Sequence, residues 1–484
     1  MPSINIYAIA IGVTVLTLLV VSLNRLRAIH TRADYLLAGR SLPAFVLVFT
    51  LLSSWIGSGS LLGGAENAYQ HGFFALWQGG GGWAGLLLIY FIAPRARKFA
   101  QYTIPDLLET RYNQTARVLG VIAILFAYTA ITSYQLIGGG DILHLVFPAI
   151  GGDEGKFIVA TFVIVFTTIA GMASVAYMDV FIGVLATVTM VIALPVLIHQ
   201  AGGWASVTAA LPTSHFTTLG GMPFVRAMEI FLPTCLLLMG NQSMYQKFFS
   251  ARSEKDAQHA VVGWIVGTVI LETVIVALAV VGSALFRVGE VHAHPREILA
   301  YSAMHGLSLS PAEQLLGALL VAAIFAKVLS TANNYLFSPA TNLVNDIFVR
   351  YIAPESSNKN VLIVSRLMVV LLGVWALYQA MHTESVLKKS LYAYTIYSAA
   401  LTPVVLAAFY SKRVTAWAAV SSIAAGTFIT FFWDTTFVHA HLPAILVERD
   451  AIFPALIVSV FALVVVSAVT PAPREEQLKP FLTD

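Results

Sequence analysis

An all-α polytopic membrane protein with an internal inverted repeat is the fold this sequence predicts, on three observations. Of its 484 residues 58% are hydrophobic and only 11% charged, whereas soluble domains carry about a quarter charged residues. Apolar runs recur at the roughly 20-residue length that crosses a bilayer as a helix. Two of those runs, five places apart in the order of spans as an inverted repeat requires, carry glycine and polar residues at mid-membrane depth.

Hydropathy places about thirteen transmembrane helices, near residues 4–23, 44–67, 73–94, 118–146, 156–172, 174–199, 227–249, 261–286, 313–345, 361–381, 391–410, 414–434 and 451–469. The first run lacks a basic leader and a small-residue cleavage site and is followed by Asn24-Arg25-Leu26-Arg27, so it reads as a retained span and not a signal peptide. In the second run, Ser53-Ser54-Trp55-Ile56-Gly57-Ser58-Gly59-Ser60 predicts an unwound backbone, which hydrocarbon tolerates only where it lines a cavity. Next, residues 78–85 formally contain GxGxxG (Gln78 to Gly85), but no strand precedes them. Close helix packing is the physical account, not nucleotide binding. Residues 95–117 form an amphipathic loop, read as a short interfacial helix that latches the cytoplasmic side. The seventh run is interrupted by Pro233-Thr234 and by Met239-Gly240-Asn241-Gln242.

Sidedness follows from the basic residues. With the N-terminus outside and the C-terminus cytoplasmic, about nineteen Lys and Arg fall inside against about seven outside, the asymmetry expected of a multi-pass protein of the inner or plasma membrane. Lys247 is counted among the inner ones. The outer loops hold two His-Ala-His triplets (His292 with His294, His439 with His441), with no third ligand in register, so no metal site is expected. The lone Cys235 lies in an apolar run, which excludes an internal disulfide framework. Nothing in the composition supports nucleic-acid binding, and no cofactor is expected.

The most informative stretch is 313–348. It is long and apolar enough to span, yet carries Lys327 near its middle. A lysine there costs roughly 2.5–3.5 kcal/mol on insertion scales and faces a cavity or a partner as a rule. Lys327, Ser330 and Thr331, at i, i+3 and i+4, share one helix face, so an ammonium and two hydroxyls converge inside the membrane.

Several motifs in order resemble the sodium:solute symporter family: Asp34-Tyr35-Leu36-Leu37-Ala38-Gly39-Arg40, the run Ser53 to Gly72, Thr103-Ile104-Pro105-Asp106-Leu107-Leu108-Glu109-Thr110-Arg111-Tyr112, and Ser174-Val175-Ala176-Tyr177-Met178-Asp179. The resemblance covers roughly residues 30–415. It implies a LeuT-like five-plus-five inverted repeat, with repeats at 44–199 and 227–410, an extra N-terminal helix at 4–23 and extra C-terminal helices at 414–469. It also implies a common sodium site built from the carbonyls of Ser53, Ile56 and the position of Lys327 and the hydroxyls of Ser330 and Thr331, with Asp179 close by. The departure is Lys327 itself, where the family typically has a small residue. The expectation is that this lysine displaces sodium, pairs with Asp179, and couples transport to a proton; a lysine that stays charged, in a facilitator or exchanger, is the alternative.

For the solute, Trp55, Gly57, Ser58, Asn241 and Gln242 are expected at the centre, between the two interrupted spans. Trp55 sits where the family's choline branch has a cage tryptophan, although packing is an alternative role. Gln78, Gln135 and Tyr134 face either this pocket or a neighbouring helix as hydrogen-bond partners. Glu272, within the eighth span, is expected to make an interhelical hydrogen bond. The expected function is secondary active transport of a small organic solute of the amino acid, amine or carboxylate class by alternating access. A sodium-coupled symporter and a solute sensor acting through a separate partner are the alternatives, and an enzyme is not expected, because no nucleophile, base and orienting group share a recognisable spacing.

Overall fold

The expected spans fall on helices, and the two with polar residues at mid-depth are broken. The structure, a computed structural model, describes residues 5–26, 32–99, 103–169, 171–287, 294–383 and 385–482. Helix α1 (Ile6–Leu26) leads into the second span, which consists of α2 (Ala44–Trp55), a wide π-type turn (Gly59–Gly64) and α3 (Ala65–His71). Then come α4 (Leu76–Phe99), the short α5 (Ile104–Arg111), α6 (Gln114–Val146), α7 (Gly152–Ile169) and α8 (Met172–Gln200). The seventh span is α9 (Phe224–Met239) and α10 (Gln242–Ser250), followed by α11 (Glu254–Leu285). Helix α12 (Pro311–Asn342) continues as π-type turns (Leu343–Ile352). After it come α13 (Asn358–Met381), α14 (Val386–Ala400), α15 (Thr402–Tyr410), α16 (Ala416–Phe432) and α17 (Ile452–Val469).

Among the described residues, 9 helical stretches are long and apolar enough to cross a membrane, and Ile6–Val21, Ala44–Trp55 and Ala416–Phe432 are shorter apolar helices. Helix α7 has the length but opens on Asp153, Glu154 and Lys156, which place its first turn in a polar environment. Side-chain caps mark where helices leave the apolar layer: Asn113, Ser253, Ser310, Ser357 and Thr415 each accept a backbone N–H one turn on, as free N-terminal donors require. Leu87, Phe91, Ile192, Val374 and Phe461 point outward and exposed, an apolar surface that lipid, not water, satisfies.

The breaks have local causes. Ile56 leaves the helical region (φ −87°, ψ 97°) and so does Asn241 (φ −77°, ψ 109°). The glycine run at 79–85 is a contact surface: a Cβ on Gly81 would stand 2.4 Å from the carbonyl oxygen of Phe231, and one on Gly85 2.4 Å from that of Cys235, so α4 and α9 touch backbone to backbone.

The loop before α6 folds as the expected short helix, α5, capped by Thr103. Arg117 pairs with Asp106 and, at 2.8 Å, with Glu109, while Arg350 reaches Glu109 at 2.6 Å. Asp346, fully buried, accepts from Thr103 Oγ1 at 2.8 Å and Asn342 Nδ2 at 3.0 Å, so α5 is tied to the far end of α12. His292 lies outside the described residues. His441 Nδ1 is hydrogen-bonded within its own turn, at 2.7 Å from Phe437 O.

Candidate functional site

Helix α12 lays Lys327, Ser330, Thr331 and Asn334 along the face turned to the break in the second span, all four at most 3% exposed. The cause is helical periodicity: i, i+3, i+4 and i+7 share a face. Thr331 Oγ1 lies 2.7 Å from Ser53 O, 3.3 Å from Ile56 O and 2.9 Å from Lys327 O. One hydroxyl proton serves three carbonyl oxygens there, leaving an electron-rich pocket suited to a positive charge. Lys327 Nζ donates to Ser53 Oγ at 3.0 Å, beside that pocket.

Asp179, on α8 and 0% exposed, accepts from Thr50 Oγ1 at 2.6 Å, from Ser330 Oγ, and from Asn334 Nδ2 at 3.3 Å. The pairing with Lys327 is thus indirect. Ser330, one turn along from the lysine, takes the carboxylate, while the ammonium goes to Ser53. Sequence reasoning placed these groups in one neighbourhood but not the hydroxyls interposed between them.

A second lysine belongs to the same network. Lys247, counted above with the inner-loop cations, is 0% exposed. Its Nζ donates to Ser243 Oγ at 2.9 Å and to Asn334 Oδ1 at 2.9 Å. The signal was available, since Lys247 lies inside the expected 227–249 span, but the nearby Arg252 and Lys255 made it read as part of a basic loop.

Around the two breaks the structure brings together most of the residues expected to meet solute. Gln135 Oε1 accepts from Ser58 N at 2.7 Å, capturing a donor freed by the unwinding, and Gln78 Nε2 donates to Gly59 O at 3.5 Å. Ser58 Oγ and Gln78 Oε1 are buried without a partner, the kind of polar group that a solute satisfies. Gly57 has no room for a side chain, since a Cβ would stand 2.7 Å from Thr331 and 2.8 Å from Gln135 Oε1. Trp55 Nε1 donates to Glu272 Oε1 at 3.0 Å, and Ser60 Oγ donates to the same oxygen at 3.0 Å, so Glu272 makes the interhelical bond expected of it.

Asn241 accepts from Tyr128 OH at 2.6 Å and donates to Tyr335 OH at 3.2 Å. Gln242 turns elsewhere: its Oε1 accepts from Ile104 N at 2.6 Å, at the start of α5. Of the tyrosines here, sequence reasoning named Tyr134 and missed Tyr128, Tyr335, Tyr394 and Tyr397. Tyr128, Tyr335 and Tyr397 pack at ring distances of 4.7 and 5.1 Å about the seventh break. Tyr394 stacks on Trp55 at 6.5 Å, with its hydroxyl 3.3 Å from that of Tyr134. Aromatics scattered over three spans carry no periodic signal that would join them.

The family model for "Sodium:solute symporter family" matches residues 35–426. The chain belongs to the sodium:solute symporter family. A protein named sodium/proline symporter from Staphylococcus aureus is 26% identical to it, over 96% of this chain and 93% of the relative, and another, from strain JH9, is 26% identical over 91% and 88%. Among solved structures, a Na+-coupled sialic acid symporter in a substrate-bound outward-open state superposes with a TM-score of 0.78 at 17% identity, covering 97% of this chain and 98% of that one. Mhp1, a nucleobase-cation-symport-1 family transporter in a closed conformation, gives 0.57 at 12% identity, over 93% and 99%. The fold is therefore of the LeuT type. As a member of the symporter family the protein is a multi-pass secondary transporter of a small solute with a coupling ion, and not an enzyme.

Proposed function

We propose that this symporter-family protein is sodium-independent and proton-coupled, with the Lys327 ammonium taking the place of sodium. The observation that carries the reading is the position of Lys327 Nζ, 3.0 Å from Ser53 Oγ, beside the carbonyls of Ser53 and Ile56 that Thr331 Oγ1 approaches. A sodium ion among those oxygens would face a buried like charge. Protonation of Lys327 would then do the work of the ion: it holds the broken second span to α12, while Ser330 and Asp179 tie α12 to α8. Loss of that proton on the cytoplasmic side would release the contact.

In this reading solute binds at the interruptions of the second and seventh spans, against Trp55, Gly57, Ser58, Gln78, Gln135 and Asn241, with Gln242 at the edge of the site. The repeats are 44–199 and 227–410, with 4–23 and 414–469 outside them, in a plasma membrane with the N-terminus outside and the C-terminus cytoplasmic. The names of the relatives favour an amino acid such as proline within the broader class of amino acids, amines and carboxylates. The names also favour a second reading, sodium coupling, since the relatives are called sodium/proline symporters. Uptake of labelled proline into proteoliposomes, with sodium replaced by potassium or choline, separates the two. The first reading expects unchanged rates and stimulation by an inward proton gradient.

A further inference from the structure

We propose that Lys247 is a positioning residue for transport, a latch by which the C-terminal half of the broken seventh span holds the Asp179 cluster. The proposal rests on the reading of Asp179 as part of the coupling site. In an α-helix side chains lean toward the N-terminus, so on α10 the ammonium of Lys247 lies back over the preceding turn. There it meets Ser243 Oγ at 2.9 Å and Ser243 O at 3.4 Å. Its third proton crosses to α12 and meets Asn334 Oδ1 at 2.9 Å. All three ammonium donors are thereby used, which a lysine buried away from water requires.

The bond to the lysine also orients the asparagine. With Oδ1 facing the ammonium, Nδ2 must face the other way, where it donates to Asp179 Oδ2 at 3.3 Å and to Ser330 O at 3.0 Å. Lys247 and Asp179 are thus opposite charges joined through one amide, whereas the Lys327 ammonium goes to Ser53 Oγ. The neighbouring residue on α10 makes an uncharged tie to α12: Gln246 Oε1 accepts from Ser338 Oγ at 3.0 Å. Only the Lys247 tie leads to the carboxylate. In alternating access one set of helices rocks against the rest around a fixed site, so a buried bond from a half-helix to the coupling carboxylate makes release of that half-helix depend on the state of the cluster.

The test uses the full chain with Ser250→Cys, a buried position at the end of α10 whose hydroxyl bonds only within its own helix, to Gln246 O. A membrane-impermeant maleimide reports how often α10 leaves its packing. The natural Cys235, on α9 of the same span, is the internal control for unfolding. Lys247→Met is expected to raise labelling at the introduced thiol at least tenfold with Cys235 unchanged, Asn334→Leu to do the same, and Lys247→Arg to restore protection. In an Asp179→Asn background, Lys247→Met should add no further labelling. Unchanged labelling in both Lys247→Met and Asn334→Leu, labelling that rises equally at Cys235, or full additivity with Asp179→Asn overturns the proposal. None of these readouts depends on which ion drives uptake, so a sodium-coupled outcome in the ion-replacement assay would overturn the functional reading and leave the latch standing or falling on its own data.

Discussion

Replacing Lys327 by alanine tests the electrostatics of the proposed coupling site directly. The ammonium is fully buried, 3.0 Å from Ser53 Oγ, and a sodium ion seated against the carbonyls of Ser53 and Ile56 would lie beside it, at a separation taken for the Coulomb energy as about 4 Å. At an effective dielectric near 20 the repulsion is about 4 kcal/mol, or roughly a thousandfold in sodium affinity at about 1.4 kcal/mol per decade. Lys327→Ala removes the repulsion and leaves the oxygen atoms in place. The variant should lose uptake driven by a proton gradient in sodium-free medium and regain it when sodium is added, with the site now accessible at millimolar concentrations. Initial rates of proline uptake into proteoliposomes, measured across a sodium titration with and without a pH gradient, check this. Wild-type rates for Lys327→Ala without sodium, or a variant that neither gradient drives while its fold and solute binding are intact, would refute the reasoning.

Gly57→Ala should abolish uptake and lower the melting temperature, because its Cβ would stand 2.7–2.8 Å from Thr331 and Gln135 and overpacking a buried site costs about 1–3 kcal/mol; flux and thermal melting of the same preparation check both. Asn241→Ala removes bonds to Tyr128 and Tyr335 and should lower stability by about 0.5–1.5 kcal/mol per bond lost, read by thermal melting. Outside the spans, burial and the neighbouring Asp141 carboxylate, against the opposing pull of Arg296, raise the Glu297 carboxyl to about 7. A raised carboxyl binds protons more tightly in the folded state than in the unfolded one, so its stabilisation is full below the unfolded value and is lost as pH rises through about 7. Melting temperature of the wild type should therefore fall between pH 5 and pH 8 more steeply than that of Glu297→Gln; parallel curves would contradict this.

What could be read in advance depended on whether the physics was local. Spans are legible because twenty apolar residues in a row have no other stable use, and the breaks at Ser53–Ser60 and Met239–Gln242 because glycine and polar groups at that depth need a cavity. Lys327 stood out as a charge with nowhere to go, and helical periodicity alone brought Ser330 and Thr331 to its side. The partners across helices were not legible. Nothing in the order of residues says that Ser330 takes Asp179 while Ser53 takes Lys327, that Gln242 turns to Ile104, or that tyrosines from α6, α12 and α14 surround Asn241. Lys247 was hidden for a different reason: a lysine at the end of a span beside a basic loop has the composition of a snorkelling residue, and only packing shows that it points inward to Asn334.

The most direct test of the account is proline uptake by the purified wild-type protein in proteoliposomes, with external sodium exchanged for potassium or choline at fixed pH gradient. Equal initial rates are expected in all three salts, each rising when the outside is made acidic and collapsing with a protonophore. Uptake that requires sodium and ignores the proton gradient would contradict it.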